Sequence, residues 1–274
     1  MRGPGSVVCP ECGRLVELGE SRCPNCGRWQ PSLFGLAPIL QRTFGTLEVT
    51  QLIFWGCCIL YALSLVLDPG AVMQSRGFFN ILSPSSQALL QLGMTSGGLV
   101  DRFGLWWTPL SATYLHGSLL HIFFNMMWLR ILGPQLEHDL GPGRFFLLYT
   151  LAGAGGFVVS NTVTGNPTVG ASGAIFGLLA ATIILARHHG GAWGQAVGQQ
   201  AIMYAVLLFA FGFVSRTTNN WAHAGGFVVG GLAMFVLLKQ SQRAEGPLVQ
   251  LGALALALAT VGAVIASFVA VRFG

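Results

Sequence analysis

From residue 49 onward the chain alternates long apolar runs with short polar breaks. Seven segments stand out: 49–67, 113–132, 145–159, 171–186, 199–214, 221–238 and 248–271. A bilayer core about 30 Å thick is crossed by about 20 helical residues, so the first run spans unaided. The third, fourth and fifth are short for this. They predict a thin or distorted bilayer, or helix ends extended by polar residues. Asp68-Pro69-Gly70 ends the first run. The connection 68–112 keeps apolar stretches at 88–92, Leu105-Trp106-Trp107 and Pro109-Leu110. It is too apolar to lie free in water, and is expected in the interface with its tryptophans at headgroup level.

Composition agrees with a membrane protein. Of 274 residues, 53% are hydrophobic and 8% charged, and the mean hydropathy is +0.65. A soluble domain carries about 25% charged residues, so a single soluble globule is excluded. The net charge of +5 is spread without a cluster, which argues for basic cytoplasmic loops rather than nucleic-acid binding. With the N-terminus inside, nine Lys and Arg fall in inner segments against four in outer ones, and Arg130 lies near the inner end of segment two. This predicts the N-terminus inside and the C-terminus outside. The first 30 residues lack the apolar core of a cleavable signal peptide.

Residues 1–30 read as a separate cytoplasmic module, and 31–48, with Pro31, Pro38 and Gly45, as a linker. The module holds two copies of C-P-x-C-G, with Cys9 and Cys12 in one and Cys23 and Cys26 in the other. Each C-x-x-C turn aims two thiolates at one point, and four thiolates suit a tetrahedral structural zinc. Metal binding would supply folding energy that so short a segment lacks. A redox pair and a disulfide scaffold are the weaker readings in a reducing cytoplasm. Cys57 and Cys58 sit in segment one and read as small core residues.

Candidate chemistry lies at the heads of three segments. Gly170-Ala171-Ser172-Gly173 opens segment four and Trp221-Ala222-His223-Ala224-Gly225-Gly226 opens segment six. Polar groups inside membrane sequence are costly and call for a reason. Even-numbered segments all run inward, so Ser172 and His223 share a depth near the outer surface. Gly173 and Gly177 on one helix, and Gly226 and Gly230 on the other, form small-residue faces that permit close packing. That packing would bring the serine hydroxyl within reach of the imidazole. Segment two adds His116, His121 and Asn125, the last two four apart on one face. Donors there and the Ser172 backbone N–H suit an oxyanion hole. His116, nearer the surface, reads as an orienting or water-handling residue. Phe176 lies one turn from Ser172, where an aromatic could pack on His223. Taken singly, Ser172 reads as helix packing, His223 as a carbonyl-bonded helix-end histidine, and His121 and Asn125 as interhelical hydrogen bonding. Together, on three co-directional helices, they read as a site.

Gly170-x-Ser172-Gly173-x3-Gly177, Ala222-His223-x2-Gly226-x3-Gly230 and His116-x4-His121-x3-Asn125 resemble the signature motifs of rhomboid intramembrane serine proteases. The resemblance covers residues 49–240. It implies an all-α polytopic membrane fold: a rhomboid-like six-helix core over 49–240, in the variant with one extra C-terminal membrane helix, here over 241–274. In front of it the doubled C-P-x-C-G motif resembles a small four-cysteine zinc ribbon. The rhomboid resemblance implies a Ser172/His223 dyad without a carboxylate, an oxyanion hole from the Ser172 amide, His121 and Asn125, and site support from His116, Gly170, Gly173 and Phe176. It also implies transmembrane protein substrates, entering laterally or from the top, and no catalytic cofactor. Gly133 and Glu137-x3-Gly141 resemble the family's Glu-containing turn, read as structural. Two positions depart from the family pattern: Trp107-Thr108 stands where Trp-Arg is frequent, and Ala112 where histidine is frequent. The alternatives are a non-cleaving rhomboid-like protein that binds membrane helices, and a His-lined transporter. The expected setting is a bacterial inner membrane, with the lipid bilayer as partner, no nucleic acid, and room for an unidentified cytoplasmic partner of the module.

Overall fold

The computed structural model describes residues 5–32, 48–70, 80–215, 218–241 and 244–273. The linker expected over 31–48 lies almost wholly outside the described residues, as do Arg2, Arg42, Arg76, Arg216 and Arg243 of the charge count. At the N-terminus, β1 (Ser6–Val8) and β2 (Leu15–Glu17) pair antiparallel, with Val7 opposite Val16. Each C-P-x-C-G turn closes on itself. The Gly13 N–H donates to the Cys9 carbonyl and the Gly27 N–H to the Cys23 carbonyl, both at 2.9 Å.

Ten helices follow among the described residues. They are α1 (Val49–Leu67), α2 (Ser86–Leu92), α3 (Gly97–Phe103), α4 (Thr108–Ala112), α5 (Leu119–Leu140), α6 (Pro142–Val163), α7 (Ser172–His189), α8 (Gly191–Val214), α9 (Asn220–Ser241) and α10 (Pro247–Phe273). In lipid every backbone polar group needs an internal partner, which a helix provides. Six helices (α1 and α6 to α10) are long and apolar enough to cross a membrane. This is an integral membrane protein. The second predicted span, α5, is less apolar because Arg130, Glu137 and Asp139 lie on it.

Of the six apolar spans, α7 is the most enclosed and α10 the least. Around α7 stand α5, α6, α8 and α9, and the core is built from Leu129, Leu136, Phe145, Leu148, Leu178 and Leu179 among others. Small residues set the spacing. A Cβ on Gly226 would run into the Gly173 carbonyl, and one on Gly230 into the Gly177 backbone, so α7 and α9 cross backbone to backbone.

Several boundaries differ from the sequence pattern. Segment two does not begin at Thr113. Residues 113–118 are non-helical, and Ser118 caps α5 by accepting the His121 N–H at 3.3 Å. Ser118, in extended conformation, is a favoured helix N-cap and sets the start of the helix after the mixed stretch 113–117. Nor does that segment end at Leu132: α5 continues through Pro134 to Leu140. Glu137 is therefore on a helix rather than in a turn. Its carboxylate accepts the Val49 N–H at 2.6 Å, the Thr50 N–H at 2.8 Å and the Thr50 hydroxyl at 2.7 Å, capping α1. Segments three and five lengthen to 22 and 24 residues by recruiting polar ends, while α7 has 18.

Candidate active site

The approach to Ser172 is pinned from two sides. Thr168 and Thr95 exchange backbone hydrogen bonds at 2.8 and 3.2 Å, and the Gly170 N–H donates to the Ala112 carbonyl at 2.9 Å. Gly170 has φ +139°, a region that disfavours side chains, and a Cβ there would lie 2.7 Å from Cε1 and Nε2 of His121. Glycine at this position lets the imidazole press against the backbone beside the serine. Ser172 is the first residue of α7. Leading N–H groups of a helix have no intrahelical acceptor and carry the positive end of its dipole.

His223 arrives from α9. Asn219 sets the start of that helix: its Oδ1 accepts the Ala222 N–H at 3.1 Å, and its Nδ2 donates to Ser160 Oγ at 2.6 Å. His223 Nε2 lies 2.8 Å from Ser172 Oγ. Phe176 stacks on the imidazole, with ring centroids 4.3 Å apart and planes within 16°. Among the described residues, His223 Nδ1 has no hydrogen-bond partner, so no carboxylate completes a triad there. Acceptance of the serine proton at Nε2 requires the tautomer with hydrogen on Nδ1.

His121 takes the opposite tautomer for a legible reason. Its Nδ1 accepts the Gly117 N–H at 3.2 Å, so a neutral ring carries its hydrogen on Nε2, the nitrogen beside Gly170. Asn125 is buried on the same helix, and its Nδ2 donates to the His121 carbonyl at 2.8 Å. One N–H of that amide is thus committed to its own helix and one remains. His116 lies ahead of His121 in the chain, before the helix begins. It is fully buried in the non-helical stretch before α5, edge-on to His121 with centroids 5.2 Å apart. Among the described residues neither of its ring nitrogens finds a hydrogen-bond partner.

The four sulfurs of Cys9, Cys12, Cys23 and Cys26 lie within 4.8 Å of one another. Two cross pairs, Cys9 with Cys26 and Cys12 with Cys23, are at 3.7 Å. A tetrahedral zinc with Zn–S bonds of about 2.3 Å has sulfur–sulfur edges of about 3.8 Å, so the cluster fits such an ion. Burial pushes the Cys9 and Cys26 thiols up. At Cys12 burial is outweighed by hydrogen bonds from the Arg14 backbone and the Asn25 side chain, which bring the thiol to about 7.

Sequence reasoning missed several contributors. Gly117, Ala112 and Asn219 act through backbone groups or as a cap; only Asn219, at a helix start, carries a readable signal. The docking of the module was also missed. Arg28 Nη1 donates to Glu11 at 3.1 Å and to Glu245 at 3.0 Å. Glu245 also accepts the Arg144 N–H at 2.7 Å. Burial raises the Glu245 carboxyl above its ordinary value, against the pull of the Arg144 N–H and the Arg28 guanidinium. Trp106 is exposed as an interfacial anchor would be, whereas Trp107 donates its indole N–H to Ser267 at 3.0 Å.

This arrangement has known counterparts. Residues 104–240 match the family model of the Rhomboid domain, half of the chain. Rhomboid protease GluP of Bacillus subtilis is 32% identical over 155 residues, 57% of this chain and 30% of that protein. RHOMBOID-like protein 5 of Arabidopsis thaliana is 36% identical over 167 residues, 59% of this chain and 53% of that protein. Inactive RHOMBOID-like protein 8 of the same plant is 29% identical over 170 residues, 61% of this chain and 48% of that protein. The chain thus spans from about a third to about half the length of these relatives. The match encloses α5, α7 and α9 with the serine and histidines they carry, and on it the chain belongs to the rhomboid family.

Proposed function

We propose that this chain is an intramembrane serine protease that cleaves peptide bonds in or near transmembrane segments of membrane proteins. The observation that carries the reading is the 2.8 Å contact between His223 Nε2 and Ser172 Oγ. In this reading Ser172 Oγ attacks the scissile carbonyl carbon as its proton passes to His223 Nε2. The resulting oxyanion is met by the Ser172 N–H at the head of α7, by the His121 Nε2–H and by the free N–H of Asn125. Collapse expels the amine, which leaves with the proton held by His223. Water then hydrolyses the acyl-enzyme with His223 as base. Phe176 holds the imidazole plane, and Gly170 keeps His121 against the oxyanion position. Substrate helices rich in glycine and small residues unwind most readily to offer a carbonyl.

The chain is placed with its N-terminus in the cytoplasm and its C-terminus outside a bacterial inner membrane, as the charge asymmetry favours. Its domains are a zinc ribbon over 1–30, a linker over 31–48, a protease core over 49–240 and a seventh helix over 241–274. The four-cysteine cluster holds a structural zinc that takes no part in catalysis. The second reading, a helix-binding protein that does not cut, takes support from the relative named inactive. Retention of both Ser172 and His223 favours cleavage. Incubation of the purified protein with a transmembrane substrate decides: cleavage by the wild type and none by Ser172→Ala is expected, and cleavage that survives Ser172→Ala overturns the mechanism.

A further inference from the structure

The seventh membrane helix carries none of the site residues, and most of its surface is exposed. Its buried positions are Ala253, Ala263 and Ser267. Ser267 is the polar one. Its Oγ donates to the Ala263 carbonyl at 2.8 Å and accepts the Trp107 indole N–H at 3.0 Å. The contact is close: a Cβ on Gly93 would lie 2.8 Å from Ser267 Oγ and 2.7 Å from Ser111 Cβ. Ser111 Oγ in turn donates to the Gly93 carbonyl at 2.9 Å. The outer end of α10 is therefore joined to α4 and to the turn after α2. The last residue of α4 is Ala112, and its carbonyl holds the Gly170 N–H two residues before Ser172.

The inner end of α10 is joined to the cytoplasmic module. Glu245, fully buried just before α10, receives the Arg28 guanidinium and the Arg144 N–H, and its own N–H donates to Glu11 at 3.2 Å. Gln250 Nε2 donates to the Trp29 carbonyl at 3.1 Å. A Cβ on Gly141 or Gly143 would meet the Glu245 carboxylate at 2.9 or 3.0 Å, so that side chain is locked against the start of α6.

We propose that α10 is a positioning strut for the nucleophile: the module fixes its inner end through Arg28 and Glu245, and Ser267 fixes α4 through Trp107, so that Ala112 holds Gly170 in place. Ser267 and Trp107 are positioning residues; neither touches the reacting atoms. Its catalytic consequence rests on the protease reading above; its mechanical part does not.

The test uses the full chain in lipid nanodiscs, with two readouts: amide hydrogen exchange at Gly170, and the rate of fluorophosphonate labelling at Ser172. Ser267→Ala is expected to raise exchange at Gly170 and to slow labelling about fivefold, the worth of one neutral hydrogen bond. Ser267→Thr, which keeps the hydroxyl, restores both. Arg28→Ala produces the same changes, with Glu245→Gln as the shape-preserving control, and adds nothing in the Ser267→Ala background because both act through one element. Unchanged exchange at Gly170 in Ser267→Ala, or fully additive effects in the double variant, overturns the strut. A wild type that never labels, together with raised exchange at Gly170 in Ser267→Ala, supports the strut and sinks the protease reading instead.

Discussion

Gly170 concentrates the chemistry of the site in one missing side chain. An alanine there would bring a Cβ within 2.7 Å of the His121 ring at a φ of +139°, a backbone region that costs roughly 1–3 kcal/mol for other residues. Gly170→Ala is expected to lower the melting temperature and to cut substrate turnover by about a hundredfold, since displacements of about 1 Å are felt at that scale. A variant with wild-type turnover would show that His121 and the Ser172 approach are not coupled. Phe176 gives a milder case. Replacing the ring stacked on His223 by leucine is expected to slow turnover several-fold, in line with the ~0.5–1.5 kcal/mol worth of an aromatic pair, with KM little changed.

At the scale of elements, the crossing of α7 and α9 depends on glycine at both partners. Gly226→Leu is expected to cost roughly 1–3 kcal/mol or more as an overpacking change and to remove the Ser172–His223 contact; thermal unfolding in detergent reads the first effect and fluorophosphonate labelling the second. Glu137 tests a different joint. Glu137→Ala leaves two N–H groups of α1 and the Thr50 hydroxyl without their carboxylate, and hydrogen bonds to charged groups are worth about 1.5–3 kcal/mol each. A lower melting temperature with unchanged labelling rate per folded molecule is expected.

The meeting of Ser172 and His223 was legible because helix direction alone sets their depth, and direction follows from counting spans. The start of α5 was less so. Residues 113–118, Thr-Tyr-Leu-His-Gly-Ser, carry no charge and run straight into the apolar segment, and Gly117-Ser118 is the hint that the chain turns there before capping. The end of α5 was missed as well: the apolar run stops at Leu132, but the helix passes through Pro134 to Leu140. Nothing in the linear pattern relates Arg28 to Glu245, 217 residues away, because ion pairs of this kind have no periodicity.

Across the whole molecule, two parts of different chemistry are joined: a polar four-cysteine module and an apolar helix bundle. Metal analysis is expected to find one zinc per chain, and Cys9→Ser with Cys26→Ser to abolish it. Removal by a chelator should expose the backbone of residues 5–32 to hydrogen exchange, because so small a segment depends on its metal to fold. Equal exchange with and without metal would mean that the cluster is not a structural zinc site. The Arg28–Glu245 pair is buried on both sides, and loss of one partner from such a pair costs about 3–5 kcal/mol.

The proposed chemistry requires Ser172 to be a nucleophile activated by His223. The most direct measurement is mass spectrometry of the protein after reaction with a fluorophosphonate. One phosphonyl group on Ser172 is expected, absent from Ser172→Ala and strongly slowed in His223→Ala. A folded wild type that stays unmodified at Ser172, or label that persists in Ser172→Ala, would contradict it.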